Sequence, residues 1–287
     1  MITSWCARRI SSSGRSESAS RPAPPKGARR AGLALALFSA GLGRPAEAQL
    51  RYTAAQFDPA RFRHIEQSEI QTVVAGRERR ERLTVAGLLV VRAQPDPGDT
   101  LRLEAWYDSL YVRRSSPEGT LEPDTDGLIG GRYRGTLAPH GAYTPDTRPF
   151  VPDGVAEVMD PSRAMDELLP RLPPRSLRAG GVWRDPGGVE IRRLSDSVAG
   201  DTLRRFRARL TRTTDSVVTR GDSGSIPARQ TIREDETFAW HSRRGLVRRD
   251  RTIVVETDIP GGGVVGRPVR SRVEQRVVIE RLRDNSL

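Results

Sequence analysis

Apolar residues recur at every second position over long stretches of this chain, and that period commits it to β-strands. Leu83, Val85, Leu89 and Val91 share one parity, with Gly87 between them, and Leu101, Leu103, Ala105 and Tyr107 resume it beyond the turn-forming run Pro95-Asp96-Pro97-Gly98-Asp99. Alternate residues of a strand line one face, so each run predicts a half-buried strand. Leu88 and Val90, on the other parity, predict that part of the first is covered on both faces. Residues 62–74 read as extended, and Tyr133, Gly135 and Leu137 as a short strand. Residues 119–131 and the Pro-rich stretch that runs to Asp153 read as loops. Further strands are predicted over 226–240, 246–259 and 269–282, separated by turns at 242–245 and 260–263. Turns this close favour antiparallel neighbours, because parallel pairs need long crossovers. The fold class expected is therefore mainly β: curved antiparallel sheet in two β-rich halves. Gly200-Asp201-Thr202-Leu203-Arg204 repeats Gly98-Asp99-Thr100-Leu101-Arg102 letter for letter, and each copy is expected to open a strand after a turn.

The two halves, 49–159 and 184–287, meet at a joint over 160–183, and together they are expected to form one structural unit. Asp160 is a suitable N-cap, Pro161 fits the first helical position, and Met165, Leu168, Leu169 and Leu172 follow the i, i+3, i+4, i+7 spacing of one helix face. Pro170 cannot donate to a helix and turns the preceding residue away from helical angles, so the helix should end at Leu169. Gly180-Gly181 supplies a turn, and Trp183, the last residue of the joint, begins the next run with a large apolar side chain to bury. Trp240, at a strand end beside the polar 242–245 turn, is expected to matter less.

Residues 1–48 read as a signal peptide. Lys26, Arg29 and Arg30 precede an apolar run over 31–43, and Ala46-Glu47-Ala48 gives the small-x-small pattern for cleavage before Gln49. That run is shorter than the roughly 20 residues a membrane-spanning helix needs. The mature chain would carry no transmembrane span and would be periplasmic or secreted, in a bacterial envelope. Removing the leader leaves 40 basic and 34 acidic residues, a net charge of +6 in place of +12, and no lysine or cysteine, since Lys26 and Cys6 both go with it. Without thiols the mature chain forms no disulfide and no thiolate metal site. Arginine and acidic residues are interspersed instead of being clustered on one patch, which argues against nucleic acid as a partner.

The chemistry-bearing residues are scattered. His64, His140 and His241 have none of the spacings of a zinc site. Ser223-Gly224-Ser225 lies in a polar turn, not a nucleophile elbow. Asp124-Thr125-Asp126-Gly127 opens like a calcium loop, but Gly135 stands where the closing carboxylate is required, so a β-turn is expected. Gly261-Gly262-Gly263 precedes a strand, with no helix N-terminus to cradle a phosphate. Glu234-Asp235-Glu236 reads as a solvated strand edge. No catalytic residue, metal or cofactor is assigned.

The segment Leu169-Pro170-Arg171-Leu172-Pro173, the Gly180-x-x-Trp183 turn after it and the Gly245-Leu246 hairpin resemble a family of secreted bacterial proteins classed as a domain of unknown function. Where that family has Gly-Asp in the small turn before the tryptophan, this chain has Gly180-Gly181. The resemblance implies export and this β-rich architecture, and it implies no catalytic residue. Two function classes follow: a non-enzymatic envelope protein that binds a hydrophobic molecule or an envelope partner protein, and, as the alternative, an envelope hydrolase using dispersed Asp, Glu and His.

Overall fold

The computed structural model describes residues 49–161, 164–199, 201–219, 225–260 and 267–283. The presumed cleavage residues Ala46 and Ala48, the Gly261-Gly262-Gly263 run and Gly200 lie outside them. Gln49–Leu287 forms one compact unit. Among the described residues, thirteen strands join in a single sheet with every strand pair antiparallel: β1 (Ala60–Val74), β2 (Arg77–Asp96), β3 (Thr100–Ser116), β4 (Gly119–Leu121), β5 (Tyr133–Leu137), β6 (Tyr143–Thr147), β7 (Val182–Arg184), β8 (Glu190–Arg193), β9 (Ser197–Ala199), β10 (Asp201–Thr219), β11 (Ser225–His241), β12 (Gly245–Ile259) and β13 (Val269–Arg281).

The strand order is β6-β5-β3-β2-β1-β13-β12-β11-β10-β8-β7, with β4 beside β3 and β9 beside β10. Strands of the first half thus occupy one side and those of the second half the other, and they meet where β1 pairs with β13. The sheet curls. Tyr52 donates its N–H to the carbonyl of Pro139, just past β5, at 3.0 Å, and its ring meets that of Trp240 on β11 edge-on at 5.0 Å. Those strands are six places apart in the order, a separation of about 29 Å in a flat sheet with strands ~4.8 Å apart.

One face of this curl carries the core. From β1 it takes Ala60 and Phe62, from β2 Val85, Leu89 and Val91, from β3 Leu103, Ala105 and Tyr107, and from β10 and β11 Phe206, Phe238 and Trp240. Two bulges let the chain keep its apolar residues on that face. The register of β2 and β3 shifts between Leu88 and Leu89, so Leu110 and Val112 point inward although their parity differs from that of Tyr107. A second shift, between Ala239 and Trp240, pairs Trp240 with Leu246 and Ala239 with Arg248. Both are changes of parity that an extra residue imposes on one strand. Gly245 opens β12 at φ 72°, and a Cβ there would lie 2.9 Å from Gln56 Oε1, so both conformation and space call for glycine.

Because β6 and β7 sit at opposite edges, the chain between them has to cross the sheet. Residues 148–181 do so over the inner face as a strap with two helical pieces, α1 (Asp153–Ala156) and α2 (Ala164–Leu168). Met165, Leu168, Leu169 and Leu172 are all buried, so the one-face spacing seen in the sequence is realised even though Leu172 lies beyond the helix. Helix α2 stops one residue short of Leu169, ahead of Pro170. Pro161 is buried and Asp160 is exposed; the capping expectation for Asp160 concerns Ser162 and Arg163, which lie outside the described residues. The strap is tied down along its length. Tyr52 Oη donates to Pro170 O at 2.9 Å, Leu172 N–H to His140 O at 3.0 Å, and Arg193 Nη1 to Leu177 O at 2.6 Å.

Three expectations need correction. Trp240 is not peripheral: it is 1% exposed, because it shares the inward parity of Phe238 on β11 and packs against Tyr52, whereas Trp183 is only partly buried on the short edge strand β7. The Pro-rich stretch before Asp153 contains a strand, β6, at the edge position where Pro145 costs no ladder bond. The 119–131 stretch read as a loop opens with the short strand β4, while helical turn α1, with Val155 buried, begins where the Pro-rich stretch ends.

Candidate functional site

The inner face is not uniformly apolar. Beyond the aromatic end under the strap, a charged band crosses it. Glu234 and Glu236 of β11 face Arg251 and Arg249 of the next strand, and the pairs form on the diagonal: Arg249 to Glu236 and Arg251 to Glu234, each at 2.8 Å. In register Glu236 stands opposite Arg251 and Glu234 opposite Ile253, so each guanidinium reaches one step along the partner strand. Both arginines are 5% exposed and Glu236 is 8% exposed. The expectation of a solvated edge at Glu234-Asp235-Glu236 is therefore overturned. Strand β11 lies inside the sheet, and its alternation sends only Asp235 outward, where Arg207 and Arg209 bind it. The hydrogen bond from Arg207 holds the Asp235 carboxyl below the usual range.

The band continues on β1. Ser68 Oγ donates to Glu66 Oε1 at 3.2 Å, and Gln275 Nε2 from β13 donates to the same oxygen at 2.6 Å. Two residues back, His64 Nδ1 lies 3.0 Å from Tyr107 Oη. Gly87, the β2 partner of His64 in register, makes this contact possible: a Cβ there would come within 2.8 Å of Ser109 O and 3.0 Å of the Tyr107 ring, so the tyrosine lies over a position that only glycine leaves open. Burial lowers the His64 pKa to about 4. Burial, followed by the opposing effects of Arg249 and Glu236, pushes the Tyr52 hydroxyl up. At neutral pH His64 is thus an uncharged hydrogen-bonding group, poorly suited to act as a base.

That depressed value has a consequence for stability. An unfolded histidine takes up its proton near pH 6.5, whereas folded His64 resists until about pH 4, so the unfolded state binds more protons in between. The contribution is intact above pH 6.5 and is lost as pH falls toward 4, in total on the order of 3 kcal/mol at about 1.4 per unit. His64→Gln keeps a partner for Tyr107 and should flatten the stability profile between pH 6.5 and 4 in urea titrations. A slope equal to that of the wild type would mean that other groups govern this range.

The remaining sequence candidates are dispersed. The carbonyl of His140 accepts the strap's Leu172 N–H, and His241 Nδ1 accepts N–H groups of Arg243 and Arg244 in the β11–β12 turn. Asp124 Oδ1 accepts the N–H of Asp126, the local bond of a side-chain-stabilised turn. Among the described residues no group of three His, Cys, Asp or Glu side chains could hold a metal ion. No described helix is long and apolar enough to cross a membrane.

Beyond the charged band the inner face becomes apolar again. Ile232, Val255, Val273 and Ile70 stand side by side across β11, β12, β13 and β1, in direct register and each half-buried. The next row is Gln230, Thr257, Ser271 and Thr72, and the row after it brings Ile259, Val269 and Val74 together. None of these seven apolar residues belongs to the core cluster. The outward face of the same strands carries ion pairs instead, among them Arg233–Glu256, Arg272–Glu256 and Arg276–Asp250. The curl therefore has a charged, water-facing exterior and an interior that alternates apolar and polar rows. A lipid-facing surface would need the reverse on its exterior.

No protein-family model matches the chain, and no curated protein matches it. Among solved structures, one described as an outer membrane lipoprotein-sorting protein domain from Vibrio parahaemolyticus aligns with 78% of this chain and 86% of its own, at 10% identity and a TM-score of 0.15. At that score the alignment carries no argument about fold or function.

Proposed function

We propose that the protein is exported, loses residues 1–48, and works in the cell envelope as a non-enzymatic binding protein that holds an apolar or amphipathic molecule against the inner face of its curled sheet. The observation that carries this reading is the in-register row Ile70, Val273, Val255 and Ile232, which is half-exposed on the inner face and separate from the core. Apolar side chains lined up across four strands gain little from one another and more from a ligand that removes them from water, at about 25 cal/mol per Å² covered. The buried Arg–Glu band beside the row offers the few fixed polar groups by which such sites orient a ligand.

The environment-sensitive dye 1-anilinonaphthalene-8-sulfonate tests the reading in solution. The wild type should bind it, and Val255→Asp with Val273→Asp should weaken binding about a hundredfold or more, as expected when two apolar contacts worth roughly 1.5 kcal/mol apiece are replaced by charges. The fold should survive, since both residues lie outside the core. Equal dye binding by the double variant would count against the site. Native mass spectrometry of protein recovered from the envelope would identify what it carries.

A further inference from the structure

We infer that the mature N-terminus is a covalent modification site, at which Gln49 closes on itself to form 5-oxoproline. This rests on the cleavage site in the proposed function, because only a free α-amine on Gln49 can react. Cleavage after Ala48 would leave glutamine first in the chain. Its unprotonated α-nitrogen attacks the side-chain carbonyl carbon Cδ; the new N–Cδ bond closes a five-membered lactam, the Cδ–Nε2 bond breaks, and the amide nitrogen leaves as ammonia. No oxidant, reductant or second substrate is needed.

The structure places this residue where the reaction is both possible and useful. Gln49 is exposed, so solvent and any cyclising enzyme can reach it. The next residues are fixed: Leu50 and Tyr52 are buried, and Tyr52 is bonded through its N–H to Pro139 and through its hydroxyl to Pro170. The reacting residue is thus the last one outside the core, held beside the strap by the bond from its Nε2 to the carbonyl of Pro174. An open terminus would add an ammonium two residues before Arg51, whose guanidinium is paired with Asp99 at 3.7 Å. Ring closure removes that charge, and the lactam blocks exopeptidases that need a free amine.

The test uses the full chain expressed with its leader and recovered from the envelope or medium. Intact mass spectrometry should give a chain that starts at Gln49 and is lighter by one molecule of ammonia. Edman degradation should fail until the unfolded protein is treated with pyroglutamyl peptidase. Gln49→Ser, which leaves the Ala-x-Ala pattern intact, should give an unblocked terminus at full mass. A Gln49 start at full mass, open to Edman degradation, overturns the cyclisation and leaves the export reading standing. A mature chain that begins anywhere else overturns both.

Discussion

Trp240→Ala is expected to lower the unfolding free energy by about 3–5 kcal/mol, the range for truncating a large aromatic in a core. Trp240 is the largest of the fully buried side chains, and it fills the space between Tyr52, which it meets at 78°, and Leu246, its partner across the bulge. Truncation would loosen two elements at once, because Tyr52 also ties the strap through Pro170 and the β5–β6 turn through Pro139. Trp183→Ala should cost less, since that ring is only partly buried on a three-residue edge strand. Urea unfolding followed by circular dichroism compares the two directly. A larger midpoint shift for Trp183→Ala than for Trp240→Ala would contradict this assignment of the structural centre.

Removing one partner of the inner ion pair should be about as damaging. Arg249→Ala leaves Glu236, 8% exposed, without the guanidinium that holds it at 2.8 Å, and an uncompensated buried charge costs about 3–5 kcal/mol. Replacing both partners is a different experiment. In Arg249→Met with Glu236→Leu neither member of this pair is left without the other, and much of the lost stability should return, because well-packed apolar side chains often equal a buried pair. The fully exposed pair Arg229–Asp215 supplies the control, and Arg229→Ala should leave the unfolding midpoint close to that of the wild type. If Arg249→Ala unfolds at the same denaturant concentration as Arg229→Ala, water reaches the inner pair.

Most of the fold was legible because its strands are long and their alternation is sustained. The expected runs 226–240, 246–259 and 269–282 became β11, β12 and β13 with ends shifted by one residue at most. The antiparallel order within each hairpin followed from turn length. What stayed hidden depends on partners far away in sequence. The edge strand β6 is five residues long and includes Pro145, so it carries no period of its own and exists because β5 offers an edge. Trp240 was misplaced because the polar 242–245 turn beside it suggested a peripheral strand end, whereas Tyr52, far away in sequence, covers it. The candidate site was the least legible part. Glu234 and Glu236 were visible, and so were Arg249 and Arg251 at the same i, i+2 spacing, but a charged run in a strand usually marks its solvated side. The signal that could have found the band is the hairpin itself: folding 225–241 onto 245–259 brings the two carboxylates within diagonal reach of the two guanidiniums.

The pairing of the first long strand with the last also decides when the molecule can become whole. Arg281 lies opposite Phe62, so this ladder joins residues more than two hundred positions apart. Such non-local closure is slow, because loop entropy is spent before the contact rewards it. The β1–β2–β3 meander can form early from local contacts, yet one side of β1 keeps an unpaired row of N–H and C=O groups until Val269–Arg281 pairs with it. During that interval the protein presents an open edge of fifteen residues, the kind of edge that recruits other strands. The C-terminal strand is therefore the latch of the molecule, and truncating it would leave an aggregation-prone intermediate in place of a smaller folded domain.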